Sequence, residues 1–106
     1  MEKIEVNGRV VGEIIGRDFV KHVKPKNLYY KYQSWTLTKD VVYDLKERGI
    51  KRIILEYSNK DIHYKMWLTV EEFILLGIEY IKEDEKRIMV HKSKWHMEDA
   101  NQLKLV

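Results

Sequence analysis

Between Val20 and Thr36 stand four lysines (Lys21, Lys24, Lys26, Lys31), four aromatic residues (Tyr29, Tyr30, Tyr32, Trp35) and no acid. Lysines attract phosphate, and exposed rings stack on bases, so this run has the ingredients of a single-strand nucleic-acid surface. On an extended chain Leu28, Tyr30, Tyr32 and Ser34 face one way, and Tyr29, Lys31, Gln33 and Trp35 the other. One set packs on a core, and the other is free to meet a ligand. Lys92 and Lys94, beside Trp95, extend the basic character near the C-terminal end. The expected nucleic-acid-binding residues are thus Lys21, Lys24, Lys26, Tyr30, Lys31, Tyr32, Lys92 and Lys94. The same composition also describes a sheet edge guarded by lysine, which a partner strand or a second copy could extend.

Other chemistry finds less material. Asp61 and His63 share one face of a strand, and Glu56, His91 or His96 would have to supply the third ligand of a metal-dependent hydrolase. A nuclease strand of the Glu-x-Lys type fails at Ser58, which stands where the lysine is needed after Glu56. No phosphate loop, dinucleotide fingerprint or nucleophile elbow occurs, and Ser34, Ser58 and Ser93 have no nucleophile setting. No cofactor, metal or catalytic residue is expected. With no cysteine, disulfides, thiolate metal sites and a cysteine nucleophile are excluded.

The elements that must position these residues follow from pattern. Lys3–Val6 and Arg9–Ile15 flank Asn7-Gly8, a strong hairpin signal. Asp18–Val23 is a short strand and Leu28–Leu37 a long aromatic one. Thr38 starts a helix that stops at Gly49, and Ile50–Tyr57 and Ile62–Trp67 pair across a turn. Thr69-Val70-Glu71-Glu72 is a capping box opening a second helix that Gly77 ends. Ile78–Ile81 and Arg87–His91 form a last hairpin across an acidic turn, and Trp95 folds back on the sheet.

These elements predict one α+β domain over residues 1–97: a mostly antiparallel sheet of six or seven strands with two short helices packed on it, and a flexible tail over 98–106. Its core should hold Val41, Leu45, Ile53, Leu55, Ile62, Tyr64, Phe73, Ile74, Ile88 and Val90. With 106 residues and 44% hydrophobic content, the chain can bury such a core unaided. The net charge is +3, but the bases concentrate in residues 1–68 and acids fill Thr69–Glu85. A charged, alternating N-terminus and no long apolar run predict a cytoplasmic protein with no membrane partner.

Gly12-Glu-Ile-Ile-Gly16, Phe19–Val23, Trp35 before a helix, Gly49-Ile50, Gly77-Ile78 and Trp95 together resemble small uncharacterised bacterial proteins of phage and plasmid type. The likeness spans residues 9–96. It departs at Lys82–Lys86, where such proteins carry a Gly-rich turn. The resemblance implies an accessory role in a mobile element and brings no known activity and no site residue. The expected function is a non-catalytic nucleic-acid-binding module. The alternative is a protein-interaction module or inhibitor, a homodimer included, and a small hydrolase stands third.

Overall fold

A computed structural model describes residues 2–23, 34–58 and 63–99. The fold is α+β, with two helices and nine strands in two mostly antiparallel sheets. Strands β1 (Glu2–Val6), β2 (Arg9–Ile15) and β3 (Asp18–Val23) form an antiparallel meander. Asn7 and Gly8 both take positive φ at the first turn, as a tight two-residue hairpin demands. Next come β4 (Ser34–Thr38), α1 (Lys39–Glu47), β5 (Arg52–Ser58), β6 (His63–Thr69), α2 (Val70–Leu76), β7 (Ile78–Lys82), β8 (Glu85–His91) and β9 (His96–Asp99).

The larger sheet runs β1-β2-β3-β5-β6-β9, and the smaller runs β4-β8-β7. The single sheet expected from sequence is therefore divided. The chain leaves the larger sheet after β3, lays β4 against β8, and returns through α1 to place β5 parallel to β3. Parallel neighbours need such a long crossover. The end of the chain also differs in detail from expectation: β9 pairs with β6 through Asp99, so Glu98 belongs to the sheet. Residues 100–106 lie outside the described part.

The core lies between the sheets and under the helices. Phe19, Ile53, Leu55, Tyr57, Met66 and Leu68 project from the larger sheet, and Leu37, Ile88 and Val90 from the smaller. Leu45, Ile53, Leu55, Phe73, Ile88 and Val90 are buried as expected, while Val41, Tyr64 and Ile74 pack at its border. Trp95 is buried edge-on to Phe73, with ring centroids 5.9 Å apart, which is the fold-back the sequence predicts. Ile62 lies outside the described residues.

The two helix starts differ. Thr69 Oγ1 accepts from the Glu72 amide and Glu72 Oε1 from the Thr69 amide, both at 3.0 Å, completing the capping box. Thr38 stands at the equivalent place of α1 but caps nothing with its side chain. Gly77 ends α2 for a reason of space: its φ is negative, and a Cβ there would meet the Ile88 side chain and the Phe73 carbonyl.

Candidate nucleic-acid interface

The register of β3 with β5 fixes where each residue goes, although Phe19 and Val20 are both buried on opposite faces. Phe19, Lys21 and Val23 stand opposite Ile53, Leu55 and Tyr57 of β5, on the core side. Lys21 is thus a half-buried lysine on an apolar face. Its stem lies beside Phe19, Leu55 and Trp35 at the border of the core. Its Nζ sits 6.0 Å from the Trp35 ring centre, the outer limit of a cation–π contact. The head emerges into a cleft of about 360 Å3 between the β1–β2 hairpin and the β4–β8 pair.

Two more cations line that cleft, Arg9 from the start of β2 and Arg87 from β8. Burial first, then the charges of Arg87 and Arg9, hold the Lys21 ammonium below its ordinary pKa. Among the described residues neither Lys21 nor Arg9 has an ion-pair partner. Arg87 gives Nη2 to Glu85 at 2.9 Å, yet its Nε is buried and bonded to nothing. Glu85 is itself shared with Asn7 Nδ2 at 2.8 Å. Three bases and two carboxylates therefore line one cleft, Glu85 being engaged by Arg87 and Asn7.

Lys92 and Lys94 lie in a single 3-10 turn that follows β8. Ser34 pairs with His91, so this turn sits where the basic, aromatic run re-enters the fold as β4. Lys21, near the end of β3, marks the other end of the run. Lys24, Lys26, Tyr30, Lys31 and Tyr32 lie outside the described residues. Trp35, on β4, turns inward and meets Tyr57 edge-on at 6.0 Å. Burial pushes the Tyr57 hydroxyl well above its ordinary pKa, and the Trp35 indole offsets part of that shift.

Of the hydrolase candidates, the described Glu56, His91 and His96 make separate contacts. Asp61 lies outside the described residues, as does the side chain of His63. Glu56 faces the outer side of the large sheet, where its Oε1 lies 3.1 Å from His22 Nδ1, with Glu13 Oε1 3.1 Å from Nε2. His96 is held by Glu72 at 2.9 Å, and His91 by Ser93 at 2.8 Å. Among the described residues no three His, Asp or Glu side chains gather as metal ligands. No described helix is long and apolar enough to cross a membrane.

Comparison with protein-family models, with curated proteins and with solved structures finds no match. Arg9 and Arg87 were absent from the sequence expectation. Each stands among mixed charges; the β2–β3 pairing puts Arg9 on the strand beside that of Lys21, and the packing of the smaller sheet on the hairpin brings Arg87 to the same cleft.

Proposed function

We propose that the protein is a non-catalytic nucleic-acid-binding module, an accessory of the bacterial cytoplasm of phage or plasmid type. The observation that carries this reading is the convergence of Lys21, Arg9 and Arg87 in one cleft, where Lys21 and Arg9 have no ion-pair partner among the described residues. Desolvated like charges repel one another, and an anion between them relieves that cost. Phosphate is the anion that a chain rich in lysine and aromatic residues is suited to hold. Lys92 and Lys94 continue the positive surface to the point where the basic run rejoins the sheet. Lys24, Lys26 and Lys31 add phosphate contacts, and Tyr30 and Tyr32 add stacking.

The test is binding to labelled single-stranded and duplex DNA and RNA across a salt series. Affinity should fall steeply as salt rises, and a variant with Lys21, Lys24, Lys26 and Lys31 all changed to Ala should lose it. Undiminished binding by that variant overturns the reading.

One observation favours the second reading, a protein-interaction module. Among the described residues the strand β4 has a single neighbour, β8, which leaves its other edge unpaired there. A partner strand or a second copy added there predicts association that persists at high salt.

A further inference from the structure

The cleft has two unlike ends. On the Lys21 side the chain continues directly into the lysine-rich run after Val23. On the other side the cleft adjoins a larger groove of about 760 Å3 between β1, α1 and the β7–β8 turn. The two cavities share Val6, Asn7, Thr38, Val41 and Glu85 as walls, so they lie side by side.

That groove is acidic. Its one arginine, Arg48, is engaged by Glu2 and, at 2.9 Å, by Asp44. Glu5, Asp40 and Asp84 remain against Lys3 and Lys86, and Glu83 stands at the adjoining turn. A nucleic-acid backbone threading the cleft would carry its next phosphates past these carboxylates, where like charges oppose it. The positive path therefore stops in the cleft.

Resting on the nucleic-acid reading, we propose that the Arg9–Lys21–Arg87 cleft captures the phosphorylated end of a strand. A terminal phosphomonoester carries more charge than an internal phosphodiester and needs no exit. The cleft, about 360 Å3, falls in the range of roughly 300–1,000 Å3 typical of small-ligand sites, which suits one nucleotide and not a passing chain. Its walls match that occupant. The two arginines and the lysine meet the phosphate, Glu85 is held off by Arg87 and Asn7, Glu83 also lines the cleft, and Val10 and Val11 offer an apolar surface to the base or sugar.

The experiment compares one internally labelled oligonucleotide in four forms: 5′-phosphorylated, 3′-phosphorylated, hydroxyl at both ends, and circular. One phosphorylated form should bind about tenfold more tightly than the hydroxyl and circular forms, the effect of one or two charge-assisted contacts. Arg9→Gln, at an exposed position that leaves the fold intact, should abolish that preference. Lys21→Met, which keeps the stem packed beside Trp35, should do the same. Equal, salt-sensitive binding of all four forms overturns end capture and leaves the nucleic-acid reading standing. A preference that survives both variants overturns the assignment to this cleft. Binding of no form overturns the nucleic-acid reading itself, and end capture with it.

Discussion

The two faces of β3 handle charge in opposite ways. On the outer face Asp18 grips Arg52 through two hydrogen bonds of 3.0 Å, and His22 lies between Glu13 and Glu56. Arg52 also lies over Trp67, 5.4 Å from its ring centre, and Trp67 stacks on His96, which Glu72 holds. Every titratable side chain that β3 presents there has an opposite partner. On the inner face Lys21 has none among the described residues and faces two arginines instead. A surface whose charges are closed on each other does not need a ligand. A cleft with two cations left unpaired among the described residues has charge to offer one.

The largest expected effect undermines both faces together. Phe19 is fully buried one residue from Asp18 and two from Lys21, and Phe19→Ala should cost 3–5 kcal/mol, about the usual loss for a buried ring. Urea unfolding measures it. A loss under about 1 kcal/mol would mean that β3 is held by its neighbours alone.

A smaller effect separates the faces. A double-mutant cycle on Asp18 and Arg52 should give a coupling of about 0.5–1 kcal/mol, modest because both side chains reach solvent. Neither single variant should alter nucleic-acid affinity by more than about twofold, since the fork lies on the closed face. Lost binding would place the interface on the outer face.

The smallest effect has a sign that makes it useful. Lys21→Met should stabilise the fold at neutral pH by about 0.5 kcal/mol, because it removes an uncompensated charge and keeps the stem. The folded pKa of Lys21 lies below its ordinary value of 10.5, so the unfolded chain binds more protons between the two values. Stability of the parent therefore rises with pH across that window, and the advantage of the variant shrinks. Unfolding curves at pH 7 and pH 10 read this directly, and a variant less stable at pH 7 would mean that Lys21 has found an anion within the fold.

Local grammar was legible in the sequence. Asn7-Gly8, the Thr69–Glu72 box and the alternation along β3, β5 and β6 name their structures, because each depends on a few adjacent residues. The parallel pairing of β3 with β5 was not legible, nor the split into two sheets. Alternation tells which residues share a face and is silent on which strand lies beside which. The same limit explains the site. Lys21 was named for its charge, but its inward direction depends on β3 joining β5, Arg9 comes near through the β2–β3 pairing, and Arg87 arrives only when the smaller sheet docks. The Lys82–Lys86 turn carries a further cost invisible in composition. Glu83 and Asp84 adopt positive φ with no glycine, where each such residue costs roughly 1–2 kcal/mol.

The crossover from β3 through β4 and α1 to β5 also sets an order of events. The β1–β2 and β5–β6 hairpins close short loops, whereas β3 cannot find β5 until the intervening segment has been placed. Arg9 and Lys21 are made early at a ribosome and Arg87 late, in a different sheet. The three cations become neighbours only when the last hairpin is in position, so the growing chain presents no finished anion site. The Arg9–Lys21–Arg87 cleft is thus completed in one step with the fold, and a chain that lacks β8 has only part of it.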